Sequence, residues 1–222
     1  MRVAVLSLTR DRLSYSRHCF GTLREFAGCD YDHYVLDNAS EDGTVEWLAE
    51  QDDITSVFLT ENIGIARGLN LLTDELPHEY DVIVHFDNDC ELTQPNTIRD
   101  VASLVHETGA ILSPRILGLQ NPPATLRKVQ HNGEIILETA QIGGICLTAP
   151  GWLFDEYRYP DTLPLWGMED AHVCAWFREH RGGTVGYVER LEAWHYETTA
   201  GQRERFPAYF ERKDLEYTGV AA

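Results

Sequence analysis

The sequence has few lysines, no paired cysteines and no long hydrophobic run, and each of these absences excludes a class of protein. Lysine occurs at two positions, and all other basic residues are arginines. The five cysteines are scattered and never form a C-x-x-C pair, which predicts free thiols in a reducing compartment rather than a disulfide framework or a zinc cluster. No stretch approaches the roughly 20 apolar residues that cross a bilayer. We therefore expect a soluble, cytoplasmic protein with no membrane span.

The chain is also short of positive charge. Its formal net charge is −18 at pH 7, which disfavours nonspecific binding to nucleic acid or to an anionic membrane, because both require a basic surface. With 222 residues, 43% of them hydrophobic, the chain can bury a sizeable core, and we expect one α/β domain over residues 1–222. The first residues predict a strand rather than a signal peptide, because their apolar run is short and polar residues follow at once.

Apolar periodicity in the first half of the chain alternates between strand-like and helix-like segments. Short runs rich in Val, Ile, Leu, Tyr and Phe predict strands at 2–8, 33–37, 54–60 and 81–86. Three-to-four spacing predicts helices at about 12–27, 43–51 and 64–76. This alternation predicts a parallel sheet covered by helices on both faces, and ligands bind such sheets beyond the carboxyl ends of the strands.

Past residue 110 the pattern becomes mixed. Residues 111–113 predict a strand, Asn132-Gly133 predicts the turn of a hairpin, and residues 140–150 predict a buried strand that contains the pair Gly143-Gly144. A helix is expected over 168–181, ended by the glycines that follow it. The charged segment from Thr198 onward is expected to be either a mobile lid or a docked tail.

Each of the first four predicted strands ends in polar residues. In a parallel sheet these ends share one edge, so we expect a pocket of acids, amides, glycines and arginines there. The four clusters are residues 9–12, 37–44, 60–64 and 87–89.

The sharpest of these clusters is Asp87-Asn88-Asp89, directly after the apolar run 82–86. Two carboxylates this close repel one another unless water screens them or a cation holds them. The first alternative is a solvated turn. The second is a divalent cation site, because Mg²⁺ and Mn²⁺ take oxygen ligands and commonly use one or two carboxylates plus substrate phosphates.

Three further positions stand out, each beside an ordinary structural explanation. Asp37 ends a predicted strand and could accept a hydrogen bond from the N–H edge of a base such as uracil, although the residues after it are typical of turns and helix caps. Glu169 and Asp170 open a predicted helix, where the helix dipole favours acids, and a carboxylate there could take a proton from an attacking hydroxyl. His195 ends a late strand-like run and, taken alone, is more often structural.

Five segments, in order, resemble the family 2 glycosyltransferases and the wider GT-A fold. The stretch VLDNASEDGT resembles the VDNxSxDGT signature, ENIGIARGLN the N-x-G element, and HFDNDCEL the D-x-D position. IGGICLTAP resembles the glycine-containing strand before the acceptor region, and WGMEDAHVCAWFREHRGG the ED…R…G element. The W-G-x-E-D form also resembles galactosyl- and polypeptide N-acetylgalactosaminyltransferases, in which a downstream histidine helps bind the metal. The resemblance covers residues 2 to 196.

The resemblance implies a mostly parallel GT-A sheet with a smaller mixed β region on the acceptor side, and roles for particular residues. Residues 1–112 would bind the nucleotide-sugar, 113–197 would hold the acceptor and the catalytic groups, and 198–222 would be a tail or lid. Asp87, Asp89 and His195 would hold Mn²⁺ or Mg²⁺, Asp170 would be the base, and Glu169 would touch the acceptor or the donor sugar. The implied nucleotide-sugar-binding residues are Thr9, Arg10, Asp37, Asn62, Gly64, Arg67, Asp87 and Asn88.

The implied reaction is transfer of one sugar from a nucleotide-sugar to an acceptor hydroxyl, with inversion. Asp37 favours UDP, and the acceptor could be a glycan, a protein, a lipid or a modified nucleobase. Two alternatives remain open at this point: an inactive GT-A domain that binds nucleotide-sugars or acts as a scaffold, and a nucleotidyltransferase. The second would need a glycine-rich phosphate loop after the first strand, where SLTRDRLSYSRH has no glycine.

Overall fold

Strands and helices alternate from the start of the chain, as the apolar periodicity predicts. The structure is a computed structural model that describes residues 1–77, 80–119, 121–197 and 199–217. Its strands are β1 (Val3–Thr9), β2 (Asp32–Asp37), β3 (Ile54–Phe58), β4 (Val82–Phe86), β5 (Cys90–Leu92), β6 (Ile111–Leu117), β7 (Thr125–His131), β8 (Glu134–Thr139), β9 (Cys146–Pro150) and β10 (Val185–His195). Its helices are α1 (Leu13–Phe26), α2 (Thr44–Ala49), α3 (Ile65–Asp74), α4 (Thr97–Thr108), α5 (Leu153–Glu156), α6 (Glu169–Arg181), α7 (Thr199–Arg205) and α8 (Pro207–Tyr217).

The first four long strands form the parallel part of one continuous sheet. Their order is β3-β2-β1-β4, and each neighbouring pair is parallel. Strand β4 is buried along its whole length, as expected for a strand covered on both faces. Because these strands run in the same direction, their carboxyl ends meet at one edge of the sheet. The predicted parallel α/β architecture is confirmed.

Beyond β4 the sheet becomes mixed. Strand β9 pairs antiparallel with both β4 and β6, while β10 runs parallel to β6 and antiparallel to β8 and β5. The predicted hairpin is β7–β8, which adds the outer edge of this half, and its turn residue Asn132 has a positive φ of 46°. The α/β fold with a mixed region in the second half of the chain is therefore confirmed.

One predicted boundary is wrong. The strand expected over 140–150 begins at Cys146, so Gly143 and Gly144 lie in the segment before β9 rather than inside it. Glycine weakens a strand, and here the pair faces the start of α6: a Cβ added to Gly144 would lie 3.5 Å from Glu169 Oε1. The close approach expected at this pair is therefore to another part of the chain.

Helix α6 and the last two helices set the edges of the site. Helix α6 begins after two residues in the left-handed region, Gly167 (φ 78°) and Met168 (φ 77°), and ends at Gly182 (φ 59°), the left-handed stop that the sequence predicts. The segment after β10 forms α7 and α8, whose Gln202 and Glu216 bond to Asp89 and Arg10 beyond the ends of β4 and β1. Thr198 and residues 218–222 lie outside the described residues. Over the described chain, no helix has both the length and the hydrophobicity needed to cross a membrane.

Candidate active site

A cavity of about 220 Å³ lies where the polar ends of the parallel strands meet the C-terminal helices. Strand ends β1 and β4 supply its floor, and α7 and α8 cover it. The side chains around it include three acids or amides that follow β4 and four cationic or imidazole groups. The lining residues are Leu8, Thr9, Arg10, Arg12, Asn38, Ile65, Asp87, Asn88, Asp89, Trp166, His195, Gln202, Tyr209, Phe210 and Lys213.

The carboxylates of Asp87 and Asp89 lie at this cavity because β4 ends in a tight turn. The Asp87 N–H donates to the carbonyl of Ile145 at 3.0 Å, and the Cys90 N–H donates back to the Asp87 carbonyl at 3.0 Å. The Asp89 carboxylate accepts hydrogen bonds from Arg12 Nη1 at 2.8 Å and from Gln202 Nε2 at 3.4 Å. The turn therefore places both acids at the cavity.

The two acids differ in protonation because a guanidinium touches only one of them. Burial, and then the negative charge of Asp89, raises the pKa of Asp87 to about 8. Burial also opposes ionisation of Asp89, but the charges of Arg12 and His195 outweigh it and hold the pKa of Asp89 below its usual value. Asp89 is therefore an anion at neutral pH, and Asp87 is the member of the pair that a further cation would deprotonate.

These residues fit a divalent cation that a ligand's phosphates would complete. His195 Nε2 lies 3.6 Å from Asp89 Oδ2, and Asp87 lines the same cavity, which gives carboxylate and imidazole donors of the kinds that Mn²⁺ accepts. Within the described residues no three His, Cys, Asp or Glu side chains are arranged as a complete metal site. The donor set therefore suits an ion bound by a few protein groups together with phosphate oxygens, rather than one enclosed by the protein.

Asp37 and Thr9, both predicted to bind the nucleotide, bond to each other at the ends of β2 and β1. Thr9 Oγ1 donates to Asp37 Oδ2 at 2.8 Å, and the Ser40 N–H donates to Asp37 Oδ1 at 2.8 Å. Asp37 has no exposed surface and does not line the cavity, whereas Thr9 does. In this structure the Asp37 carboxylate fixes the loop after β2 at the cavity edge.

The other predicted nucleotide-binding residues divide into two groups. Arg10 and Asn88 line the cavity; Asn88 is buried, and its Oδ1 accepts a hydrogen bond from Arg12 Nη2 at 2.8 Å. Asn62 lies beside the cavity, and its Nδ2 donates a hydrogen bond to Glu216 Oε2 at 3.1 Å.

Gly64 and Arg67 contact the loop before α6 instead of the cavity. A Cβ on Gly64, whose φ is 87°, would lie 2.8 Å from the Leu165 Cα. Arg67 Nη2 donates to the Asp161 carbonyl at 3.1 Å, and about half of its side chain is exposed. Both residues therefore fix the position of the loop that carries Trp166.

The second acid pair, Glu169 and Asp170, lies on the far side of Asp87. Both line a small cleft together with Asp87, Gly144 and Tyr159. Burial, and then the charge of Asp170, raises the pKa of Glu169 to about 7, and burial also raises the pKa of Asp170. Glu169 Oε2 is buried without a hydrogen-bond partner in the described structure. These carboxylates are poised to take up a proton, and Asp87 links their cleft to the larger cavity.

Several cavity residues were not among the predicted site residues. Arg12 belongs to the polar cluster after β1, and Trp166 precedes the acid pair, so both had a local signal. The residues from α7 and α8, namely Gln202, Tyr209, Phe210 and Lys213, had none, because their approach to the strand ends is a long-range contact.

Comparison with solved structures shows that the fold recurs in glycosyltransferases. TarS of S. aureus, residues 1–349, in complex with UDP-GlcNAc, has a TM-score of 0.66 at 14% identity over 87% of this chain and 58% of that chain. The mannosyltransferase PcManGT from Pyrobaculum calidifontis, in complex with GDP-Man and Mn²⁺, has a TM-score of 0.70 at 16% identity over 92% of this chain and 59% of that chain. GalNAc-T7 with UDP, GalNAc and Mn²⁺ has a TM-score of 0.71 at 14% identity over 90% of this chain and 44% of that chain.

At these identities the likeness shows the fold, and this chain spans less than two thirds of each of those chains. No curated protein matches the sequence. The sequence model of glycosyl transferase family 2 matches residues 5–179, which contain the strand-end clusters and the start of α6. That match covers well over half of the chain and agrees with the fold, so the protein belongs to glycosyl transferase family 2.

Proposed function

We propose that this chain is a metal-dependent glycosyltransferase that moves a single sugar from a nucleotide-sugar, with a UDP-sugar favoured, to an acceptor hydroxyl with inversion. In this proposal residues 1–222 act as one catalytic domain, which the single continuous sheet supports. The five free thiols support the cytoplasm as its location. The glycan, protein, lipid and modified-nucleobase acceptors all present the hydroxyl or similar nucleophile that this chemistry requires.

The observation that carries the proposal is the placement of two acid pairs on either side of Asp87. One pair, Asp87 and Asp89, lies in the cavity with Arg10, Arg12 and His195, where negative phosphate oxygens are attracted. The other pair, Glu169 and Asp170, shares a cleft with Asp87. A sugar that joins a diphosphate on one side to an incoming hydroxyl on the other requires these two environments next to each other.

The donor side is built to stabilise negative charge. Asp87, Asp89 and His195 would hold Mn²⁺ or Mg²⁺, which as a Lewis acid stabilises the charge that a departing diphosphate acquires. Arg10 and Lys213 line the same cavity and add positive charge close to it. Thr9, Asp37, Asn62 and Asn88 would bind the nucleotide, and Gly64 and Arg67 would hold the loop before α6 beside it.

The acceptor side is built to remove a proton. Asp170 would take the proton of the acceptor hydroxyl as its oxygen attacks the anomeric carbon, and Glu169 would contact the acceptor or the donor sugar. The raised pKa values of both acids support this role, because a base is most effective when its pKa lies near the working pH. A base facing the departing diphosphate across the sugar supports a single displacement, and hence inversion.

A thermal-shift panel tests the donor half of the proposal. UDP, GDP, dTDP and CMP would each be added with and without Mn²⁺ to the wild type, to Asp89→Ala and to Asp52→Ala. Asp52 is an exposed acid that is distant from Asp89 in the sequence, so its variant is the control. At about 100 times its dissociation constant a ligand stabilises by roughly 2.7 kcal/mol, which for this chain length raises Tm by several degrees.

We expect a shift with UDP that requires Mn²⁺, is lost in Asp89→Ala and is retained in Asp52→Ala. A shift with another nucleotide would replace UDP as the donor. If no nucleotide changes Tm in either condition, the chain is not an active nucleotide-sugar enzyme, and the inactive scaffold becomes the better account.

A further inference from the structure

The carboxylate of Glu216, near the end of α8, sits in a set of hydrogen-bond donors from three distant parts of the chain. Arg10 Nη1 and Nη2 donate to its two oxygens at 2.7 Å each. Asn62 Nδ2 donates at 3.1 Å and Trp166 Nε1 at 3.0 Å, both to Oε2. The donors come from the end of β1, the loop after β3 and the loop before α6. Bidentate and charge-assisted hydrogen bonds of this kind are stronger than neutral ones, so these donors form a cradle for one anion.

The chemistry of these donors suits a phosphate as well as a carboxylate. A guanidinium presents two parallel N–H groups that match two oxygens of either anion, and neutral N–H donors complete the remaining acceptor positions. The pair is largely shielded, with 13% of the Arg10 side chain and 18% of the Glu216 side chain exposed. Burial opposes ionisation of Glu216, but hydrogen bonds from Arg10 and then Trp166 outweigh it and hold its pKa below the usual value, so it is charged at neutral pH.

Helices α7 and α8, here called the C-terminal strap (residues 199–217), also cover the rest of the cavity. Gln202 Nε2 donates to Asp89 Oδ2 at 3.4 Å, and the Tyr209 ring centroid lies 4.8 Å from Arg12 Cζ. With the strap in this position the cavity measures about 220 Å³. Small-molecule sites are typically about 300 Å³ or more, so this space is too small for a whole nucleotide-sugar.

Several of the strap's contacts with the sheet edge are polar and can be exchanged for contacts with a ligand. Of the residues of α8, Tyr209 and Phe210 are buried, whereas Leu215 is 52% exposed. Arg212 forms ion pairs with Asp11 and Glu41 at the rim. Ion pairs between partly exposed side chains contribute little stability, so these rim contacts can be exchanged at a modest cost.

We propose that the C-terminal strap is a self-inhibitory element, with Glu216 occupying the subsite of Arg10, Asn62 and Trp166 in place of a phosphate group of a nucleoside diphosphate. This inference rests on the proposed glycosyltransferase function. Donor binding then requires that Glu216 leave, so the strap and the donor exclude one another. A partner or acceptor that holds the strap open activates the enzyme, because only the open fraction binds the donor.

Binding measurements on the full chain test the competition. The dissociation constant of UDP, with Mn²⁺ present, would be measured by calorimetry for the wild type, for Glu216→Gln and for Glu211→Gln. Glu211 is an exposed acid on the same helix, so its variant controls for the change in net charge. We expect Glu216→Gln to bind UDP about tenfold more tightly than the wild type, because the closed strap no longer competes, and Glu211→Gln to match the wild type.

The outcomes separate the two proposals. If all three proteins bind UDP with equal affinity, the self-inhibition is wrong while the glycosyltransferase proposal stands. Weaker binding by Glu216→Gln also overturns the inference, since Glu216 would then support the ligand instead of competing with it. If none of the three binds UDP or the other nucleotides of the panel, the proposed function fails and the inference fails with it.

Limited trypsin digestion of the wild type provides a readout that needs no variant. The strap carries Arg203, Arg205, Arg212 and Lys213 as cleavage sites. We expect UDP to accelerate cleavage at Arg212 and Lys213, and pyrophosphate to do the same at higher concentration. Protection of these sites by UDP would show that the strap closes on the ligand, and would overturn the inference.

Discussion

The two acid pairs of this protein differ in the charges that surround them. On the donor side, Asp87 and Asp89 share a cavity with Arg12, whose guanidinium bonds to Asp89 at 2.8 Å. The pKa of one acid is raised and that of the other is lowered. On the acceptor side, Glu169 and Asp170 have no cation bonded to them among the described contacts, and burial raises the pKa of both.

The difference shows how neighbours assign chemistry to carboxylates. A buried acid beside a fixed guanidinium stays charged, whereas a buried acid without one binds protons more readily. In the proposed function Asp89 is therefore the anionic member of the donor pair, and Glu169 and Asp170 are the groups that receive a proton. Four experiments test this difference.

The largest expected effect comes from Asp170→Asn. An amide of the same size cannot take a proton, so UDP release from a UDP-sugar should slow about 10²- to 10⁴-fold. The Mn²⁺-dependent thermal shift with UDP should remain, because the donor pair is untouched. Glu179→Gln, an exposed acid on the same helix, is the control. Turnover that stays within about twofold of the wild type would remove Asp170 from the role of base.

Arg12→Met removes the cation from the donor pair and leaves Asp89 charged and buried. Removing one partner of a buried ion pair costs roughly 3 kcal/mol of unfolding free energy, measured by urea denaturation. The double variant with Asp89→Leu should recover part of that loss, because both charges are then gone. If the double variant is less stable than Arg12→Met alone, Asp89 is not neutralised by Arg12 in the way described.

The pH dependence of turnover should report the protonation of the acceptor pair, Glu169 and Asp170. A base must be deprotonated to act, and burial raises the pKa of Asp170, so turnover should rise with pH and reach its plateau above the usual pKa range of an aspartate. In Glu169→Gln the half-maximal pH should fall, because the neighbouring negative charge is absent. An unchanged profile in that variant would assign the transition to another group.

The smallest expected effect is that of Gly144→Ala. The added methyl would lie 3.5 Å from Glu169 Oε1 and 3.8 Å from the Asp170 Cβ, which are ordinary contact distances. Unfolding free energy should change by less than about 0.5 kcal/mol, while the half-maximal pH of turnover should rise because the acceptor pair loses access to water. A large loss of stability would show that the segment before β9 cannot accommodate any side chain.

The local pattern of the sequence was enough to predict the parallel half of the fold and the edge at which the site lies. Apolar runs of five to seven residues that end in polar clusters predicted β1, β2, β3 and β4, because strand burial and turn chemistry are properties of neighbouring residues. The same locality gave the hairpin at Asn132-Gly133 and the helix that Glu169 opens. It failed at Gly143-Gly144, where the close approach is to α6 and not within a strand.

What the sequence alone determined was the family, the fold and the two acid pairs, since each follows from residues close together in the chain. What the tertiary structure decided was which charges meet. Arg12 lies 77 residues from Asp89, and Glu216 lies 206 residues from Arg10. Contacts at such separations depend on how the sheet and the last two helices pack, and burial at those contacts sets whether each carboxylate carries a charge or a proton.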